Sequence, residues 1–443
     1  MARIIFILCI LISFSEICGQ QWVFKNNANK ITFSFELIHH VVIIPIHING
    51  EELSFILDTG VKETLLFGHS DSLTLHNVSK VKFQGIGIDE GIEGLLSLSN
   101  HLSVADSAMI DLKHNLFVIM DDSLHLSNHI GLPVHGILGS NFFHNNVVEI
   151  NYVKKKITVY RNIKDIGKKL KGYEKIPLQM EKDRPYVKVD LRIGKKTYEQ
   201  VKVLLDLGNS DPAMLFTDRL SGFEMLEPAI YEFIGKGFNG NIYGKRNRIH
   251  SLQINNFEFQ QPIISYPDAN TYDTKKLVKD RVGSIGNQLL TRFSVLIDYQ
   301  SRMLYLKPNK NFRQPFYIDM SGVEVKHEGF VWVESKIYLN TSPNREGTTI
   351  PFDGSSSFKY KIELKPNFII NSVRDNSPAK RIGVMKGDVL LKINGRSVQS
   401  LSLEQIKEKL QSGINKTVKL QIERDEKIIN FSFQLQDPIP LLL

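Results

Sequence analysis

Two copies of one short motif, 148 positions apart, constrain this chain of 443 residues more than any other feature. In the first copy the apolar run Phe55–Leu57 ends in Asp58, and in the second the run Val203–Leu205 ends in Asp206. Such runs are typical of buried strands, and a glycine two residues after each aspartate permits a tight turn. Because burying a lone carboxylate costs free energy, two copies favour aspartates that meet and share one proton.

Each Asp-x-Gly taken alone can be an ordinary Asx turn, so the rest of the repeat decides. Both halves continue with a similar glycine-containing segment, around Gly139 and Gly286, and then with a strand that ends in Tyr152 or Tyr299. Gly286 follows Gly139 by 147 positions, and Tyr299 follows Tyr152 by the same number. A nearly constant offset across three motifs predicts two homologous halves, each mostly β, related by a pseudo-twofold axis.

Glycines also lie between the aspartate and the later motif in both halves. The first half has Gly85 and Gly87 there, and the second has Gly237 and Gly240. Glycine weakens a strand and marks hairpin tips or close backbone approach. Two interpretations stay open: ordinary hairpin turns, or a mobile flap that closes over a substrate.

The N-terminus has the pattern of a secretory signal peptide. Arg3 precedes the apolar run 4–14, which is too short to span a bilayer, and cleavage is predicted after Gly19. Cys9 and Cys18 are the only cysteines, so the mature chain would have no disulfide or thiol chemistry. Lipid attachment at Cys18 is the alternative. Because no second apolar stretch is long enough for a membrane anchor, we expect an exported protein of the periplasm, cell surface or medium.

Charge and motif content argue against several other functions. The net charge of +8 is spread along the chain without basic runs interleaved with aromatics, so we expect no nucleic-acid partner. None of the 13 histidines has a metal-ligand spacing, and we expect no metal. Nucleophile-elbow, dinucleotide-binding and Walker motifs are missing from the sequence, so we expect no cofactor.

The C-terminal part resembles a PDZ domain. After a polar linker, Lys307–Arg313, come the following features: a strand at Phe368–Val373, Ser-Pro-Ala at 377–379, Gly-Asp at 387–388, an Asn-Gly turn at 394–395, and an amphipathic helix at Leu401–Leu410. The resemblance implies a domain over residues 311–437 with an insertion at 326–365.

PDZ domains add an extended peptide to a sheet edge, and backbone N–H groups capture its terminal carboxylate. The resemblance assigns this role to Ser321, Gly322 and Val323, after a strand at Phe316–Ile318. A loop near Phe358–Ile362 is the alternative. The expected ligand is a C-terminal peptide, which the chain's own apolar tail, Pro438–Leu443, could supply. The other interpretation is that the groove only packs against the rest of the protein.

The paired aspartate motifs, the glycine-rich stretches and the Ile-Leu-Gly segment at 137–139 resemble the retropepsin-like aspartic proteases. The double form followed by a PDZ domain looks like the exported aspartyl proteases with PDZ domains of Bacteroidetes. The resemblance implies a mainly β, pepsin-like bilobal arrangement. Its lobe 1 would cover residues 20–165 and its lobe 2 residues 166–310, after the signal peptide at 1–19.

The same resemblance implies that Asp58 and Asp206 hold the attacking water and protonate the leaving amine. Gly60 and Gly208 would let backbone N–H groups approach the carboxylates. Thr59 would supply one half of a hydroxyl network beneath them. We therefore expect an aspartic endopeptidase that cuts peptide or protein substrates at acid or mildly acid pH.

Leu207 departs from the family pattern, which has Thr or Ser between the aspartate and the glycine. Without that hydroxyl, a buried Thr59 needs another hydrogen-bond partner. Residues 209–211, Asn-Ser-Asp, are the candidates. The departure also keeps two alternatives open. One is a protein that no longer cuts and binds peptides through its PDZ domain; the other is a dyad formed by two first lobes in a homodimer.

Overall fold

The computed structural model describes residues 21–68, 73–83, 92–120, 127, 130–237, 240–338, 358–411 and 413–441. These residues are mainly β, which confirms the predicted class. The predicted signal peptide at 1–19, together with Gly85 and Gly87, lies outside the described residues. Nowhere in the described ranges is a helix long and apolar enough to cross a membrane.

The first half of the chain forms one large sheet in the order β1-β9-β6-β10-β5-β4-β8-β7, with β3 paired to β4. Its alternating apolar side chains, such as Ile44, Ile46 and Ile48 of β4, are fully buried. A 3-10 helix, Ser140–Phe143, follows β10. The strands are β1 (Val23–Phe24), β2 (Lys30–Ser34), β3 (Glu36–Ile38), β4 (Val41–Ile48), β5 (Glu51–Leu57), β6 (Thr64–Phe67), β7 (Val78–Phe83), β8 (Ile92–Val104), β9 (Met109–Ile119), β10 (Gly136–Leu138), β11 (Val147–Asn151) and β12 (Lys156–Tyr160).

The second half repeats this plan in the order β18-β19-β22-β17-β23-β16-β15-β20-β21, with β14 paired to β15. Short 3-10 helices lie at Ile163–Leu170, Thr217–Arg219 and Ala269–Thr271, and helix α1 covers Asn287–Leu290. The strands are β13 (Glu174–Pro177), β14 (Gln179–Glu181), β15 (Arg184–Ile193), β16 (Lys196–Leu205), β17 (Ala213–Leu215), β18 (Ile230–Gly237), β19 (Gly240–Arg248), β20 (Ser251–Ile254), β21 (Phe257–Gln260), β22 (Ile263–Pro267), β23 (Arg281–Ile285), β24 (Phe293–Asp298) and β25 (Met303–Pro308).

A third sheet joins the halves in the order β13-β25-β24-β11-β12-β2. At its centre β11 and β24 are antiparallel, with Val148 opposite Ile297 and Ile150 opposite Val295. The two pairs are equivalent by the offset of 147: Val148 corresponds to Val295, and Ile150 corresponds to Ile297. The strand register therefore obeys the same offset as the sequence motifs, and the two halves are related by a pseudo-twofold axis that passes through this sheet.

The C-terminal domain has its own sheet, in the order β26-β27-β28-β30-β31 with β29 paired to β28, and its own buried core. Helix α3 (Leu403–Leu410) packs beside β26 (Val323–Tyr338) and buries Leu403, Ile406 and Leu410, as the helical spacing predicted. The elements are β26 (Val323–Tyr338), β27 (Phe358–Val373), α2 (Pro378–Arg381), β28 (Val389–Ile393), β29 (Arg396–Ser397), a 3-10 helix at Val398–Ser400, α3 (Leu403–Leu410), β30 (Thr417–Arg424) and β31 (Lys427–Gln434).

Two details of the linker differ from the sequence prediction. Lys307 and Pro308 still belong to β25, so the linker begins after them. The predicted strand Phe316–Ile318 is irregular, although Phe316 and Ile318 are buried. Arg292 binds the irregular backbone that leads into this segment: its guanidinium donates to the backbone carbonyls of residues 311, 312, 314 and 315 and lies 3.9 Å from the Phe316 ring centroid.

One buried guanidinium binds the chain where it enters and where it leaves the C-terminal domain. Arg248 donates to the carbonyl of Phe316 (3.3 Å) and to that of Ile439 (2.7 Å), and its side chain lies 3.4 Å from the Asp437 carboxylate. Ile439 itself is buried in the core of the two halves. Ile439 of the apolar tail therefore packs against the two halves and not in the groove of its own domain, while Leu441 is exposed.

Candidate active site

The repeat places both aspartates at equivalent strand ends. Strand β5 runs parallel to β10, and β16 runs parallel to β23. The Asp58 N–H donates to the carbonyl of Leu138, and the Asp206 N–H donates to that of Ile285, both at 3.0 Å. The backbone of each aspartate is thus fixed by the neighbouring strand, and its side chain leaves the sheet at the interface between the halves.

The two carboxyl groups meet at this interface. The Gly208 N–H donates to Asp58 Oδ1 and to Asp206 Oδ1, at 3.1 Å each, while the Gly60 N–H donates to Asp58 Oδ1 at 2.6 Å. A Cβ atom at Gly208 would lie 2.5 Å from Asp58 Oδ2, and one at Gly60 would lie 2.8 Å from Asp206 Oδ1. Each glycine therefore packs against the carboxylate of the opposite half, where a side chain has no room.

Burial dominates the ionisation of the pair. It raises the pKa of Asp58, and repulsion from Asp206 raises that pKa further, against hydrogen bonds from Gly60 and Gly208. Burial also raises the pKa of Asp206, while the buried Arg281 guanidinium opposes that rise. Two desolvated carboxyls that repel each other titrate as a unit and retain one proton above the ordinary carboxyl range.

Thr59 has its partners in the other half. Its buried hydroxyl donates to the carbonyl of Leu205 (2.6 Å) and accepts the N–H of Leu207 (3.1 Å). The hydroxyl network thus uses backbone groups where the resemblance implied a second hydroxyl. The Leu207 side chain is fully buried in the core.

In the described residues, 209–211 make no hydrogen bond to Thr59; they bond within their own loop and to neighbouring strands. The Asn209 amide donates to Ser284 Oγ (3.1 Å), and its side-chain oxygen accepts the Asp211 N–H (2.9 Å). Behind this loop Asn287 donates to the carbonyl of Leu207 (2.7 Å) and accepts the hydroxyl of Tyr152 (2.6 Å). Asn287 and Tyr152 were not predicted as site residues, because nothing in the sequence indicates that they bond across the halves.

The predicted flap glycines of the second half lie at the end of a hairpin. Gly237 is opposite Gly240, where β18 and β19 meet. The corresponding strands of the first half, β7 and β8, pair from Val78 to Phe83, and the predicted Gly85 and Gly87 between them lie outside the described residues. The flap role stays a prediction. In the described ranges no cluster of three or more His, Cys, Asp or Glu side chains is arranged to hold a metal ion.

A second candidate site lies in the C-terminal domain. Ser321 and Gly322 immediately precede β26, which begins at Val323. Gly322 has φ +80°, and a Cβ atom there would lie 2.1 Å from the Cβ of Ser377. Helix α3 lies beside this strand, and burial lowers the pKa of its Lys407 to about 8, against attraction from Glu324 and Asp319. A loop, an edge strand and a helix side by side form the kind of groove that accepts an extended peptide.

A family model for the PDZ domain matches residues 369–424. These residues form a PDZ domain. The match begins in β27 and leaves both aspartate motifs outside it. It also begins after Ser321–Val323, but β26 pairs with β27, so this segment belongs to the same sheet as the PDZ domain. The comparison with curated proteins gives no match.

One chain of ion pairs joins the PDZ domain to the second half. Arg374 pairs with Glu232 of β18 at 2.9 Å, Glu232 lies 3.2 Å from Arg246 of β19, and Arg246 pairs with Asp211 at 3.0 Å. Asp211 lies in the loop that follows Asp206. These contacts could not be predicted from the sequence, because the four residues are far apart along the chain.

Proposed function

We propose that this protein is an exported aspartic endopeptidase, in which a water molecule between Asp58 and Asp206 attacks the peptide bond. The observation that carries the proposal is the contact between Gly208 and both carboxyls: its N–H donates to Asp58 and Asp206 at equal distance. Recognition of a peptide or partner by the PDZ domain accompanies this activity. The N-terminal apolar run 4–14 supports export.

The chemistry follows from the shared proton. The ionised carboxyl accepts a proton from the water as it attacks, and the protonated carboxyl donates a hydrogen bond to the substrate carbonyl oxygen. The carboxyl that took the proton from the water then donates it to the leaving amine as the C–N bond breaks. Because burial raises both pKa values, the pair stays singly protonated above the ordinary carboxyl range, and we expect activity to extend from mildly acid toward neutral pH.

The test is cleavage of a mixed peptide library between about pH 3 and pH 8. The mature chain is compared with Asp58→Asn and Asp206→Asn, each confirmed folded by its unfolding curve. Asp298→Asn is the matched control: Asp298 is buried and accepts the Ser301 N–H at 3.0 Å, and an asparagine already occupies the equivalent position 151, with the same bond to Lys154. We expect loss of cleavage in the two dyad variants and normal cleavage in the control.

A peptide-binding protein without hydrolytic activity is the second candidate, and Leu207 is the observation that favours it. The absence of cleavage at every pH by folded wild-type protein would decide for this candidate. Loss with Asp58→Asn alone would indicate a dyad built by two first halves in a dimer. The packing of Gly208 against Asp58 within one chain favours the single-chain dyad.

A further inference from the structure

The loop expected to capture a terminal carboxylate has already used three of its donors. The Gly322 N–H and the Ser321 hydroxyl both donate to the Asp319 carboxylate, and the Val323 N–H donates to Ser321 Oγ at 3.0 Å. The Asp319 carboxylate therefore occupies hydrogen-bond donors that a ligand carboxylate would need. A peptide that ended here would have to break these bonds before it formed its own.

Asp319 is also held in place from behind. Arg374 donates to its backbone carbonyl at 3.0 Å, and the same guanidinium pairs with Glu232 of the second half at 2.9 Å. The Arg374 side chain is only 8% exposed, and that of Glu232 is 19% exposed. Because the ion pair with Glu232 fixes this arginine, the backbone of Asp319 cannot move away without losing its hydrogen bond to Arg374.

The charges near the loop are matched already. Arg374 is engaged with Glu232, and Lys407 of α3 lies within electrostatic reach of Asp319 and Glu324. Burial raises the pKa of Asp319 to about 6, against attraction from Arg374, so its carboxyl is ionised at neutral pH. A second carboxylate beside it would meet like charge in a desolvated place.

One edge of β26 is left unpaired within the described residues. In the described residues β26 pairs with β27 on one side, and no strand pairs with its other edge. Further along, the β26–β27 ribbon exposes Phe330 (64%) and Trp332 (70%), with Leu364 opposite Trp332. A polypeptide that runs along this edge would meet backbone donors and acceptors first and apolar side chains next.

We propose that the PDZ groove binds an internal extended segment of a polypeptide, with apolar side chains toward Phe330 and Trp332, and does not bind a free carboxyl terminus. The segment adds as a strand to β26 and continues past Ser321–Val323 without presenting a charge to Asp319. This inference rests on peptide recognition by the PDZ domain and is independent of hydrolysis by Asp58 and Asp206.

The experiment selects peptides with the full mature chain carrying Asp58→Asn and Asp206→Asn, so that nothing is cut. Two display libraries share one randomised stretch; in one it ends in a free carboxyl group, and in the other linkers flank it on both sides. We expect enrichment from the flanked library alone. The best sequence is then synthesised with a free acid or with an amide at the same residue, and we expect the amide to bind at least about tenfold more tightly.

Asp319→Asn tests the assigned cause, since it keeps an acceptor for Gly322 and removes the charge. We expect Asp319→Asn to bring the affinities of the amide peptide and the free-acid peptide closer together. Asp375→Asn, at an exposed carboxylate of the same domain, should leave the ratio of the two affinities unchanged. Enrichment from the free-acid library, equal or tighter binding of the acid, or no enrichment from either library by folded protein overturns the proposal. A chain that binds internal segments but cleaves nothing would refute the proposed hydrolysis and leave this inference standing.

Discussion

The first and second halves differ most at the residue between the aspartate and the glycine. Thr59 and Leu207 are both fully buried, but only Thr59 has a hydroxyl, and it bonds to the backbone on either side of Asp206. Leu207 adds its side chain to the core, and its carbonyl accepts the amide of Asn287. At this loop one hydroxyl therefore takes the place of two, because the other half offers it a backbone donor and a backbone acceptor.

A second difference lies behind the two aspartate loops. Ser140 and Asn287 are equivalent by the offset of 147, and both are fully buried. Ser140 donates to the carbonyl of Asp183 in the opposite half (2.8 Å), whereas Asn287 bonds to Leu207 in its own half and to Tyr152 in the other. The longer amide of Asn287 therefore supports the loop whose own side chain, Leu207, is apolar.

The largest effect is expected from Gly208→Ala, which would disturb the equal contacts of residue 208 with the two carboxyl groups. The added methyl group would lie 2.5 Å from Asp58 Oδ2, so the dyad must separate. We expect cleavage to fall by about 100-fold or more. Gly235→Ala is the control, because a Cβ atom there meets nothing within 4 Å. Full activity in Gly208→Ala would show that the carboxyls need not meet.

Thr59→Val tests whether the single hydroxyl connects the halves. The substitution keeps the shape and leaves the Leu205 carbonyl and the Leu207 N–H without their partner. We expect the free energy of unfolding in urea to fall by about 3 kcal/mol. Thr32→Val removes an exposed hydroxyl that lies 3.0 Å from Thr158 Oγ1, and it should cost less than about 0.5 kcal/mol. Equal losses in the two variants would argue against the role given to Thr59.

Asn287→Ser makes the second half like the first behind the loop. The serine cannot reach both the Leu207 carbonyl and the Tyr152 hydroxyl, so buried polar groups lose partners. We expect a loss of about 2 kcal/mol in the free energy of unfolding. The double variant with Tyr152→Phe should lose less than the sum of the two single variants. Strict additivity would mean that the two side chains act independently.

The smallest effect concerns the pH dependence of stability. The pKa of Asp58 is raised in the folded state, so between the unfolded and folded pKa values the folded protein binds more protons. Stability from this group is therefore present at low pH and lost as pH rises through that interval. Asp58→Asn removes the loss, so the stability of the variant relative to wild type should rise steadily as pH increases from about 3.5 to about 7. A constant difference in urea unfolding across this range would contradict the raised pKa.

The arrangement of the two halves could be predicted from the sequence, because equivalent motifs in a repeat take equivalent places in the fold. The nearly constant offset of the motifs around Asp58, Gly139 and Tyr152 reappears as parallel strand pairs beside each aspartate and as the register of β11 on β24. The partners of Thr59 could not be predicted, because backbone groups of residues 205 and 207 carry no sequence signal. Residues 209–211 were suitable partners by composition, yet the side chains of Asn209 and Asp211 bond to Ser284 and Arg246 instead.

The C-terminal domain shows the same limit. Leu403, Ile406 and Leu410 could be assigned to one helix face because helical spacing depends on local sequence. Phe316–Ile318 looked like a strand for the same reason, but Arg292 binds the preceding backbone in an irregular conformation. Local patterns predicted local structure, whereas contacts made by distant arginines, such as Arg374 with Glu232, depend on the completed fold.

Arg248 has a consequence for how this protein could change over evolution or in the laboratory. Since one guanidinium binds the carbonyls of both Phe316 and Ile439, the chain enters and leaves the PDZ domain at the same place. The segment between Phe316 and Ile439, which contains the PDZ domain, therefore has its two ends side by side. A different recognition domain with neighbouring termini could be inserted at this point, and the exchange would remove Arg374, the partner of Glu232.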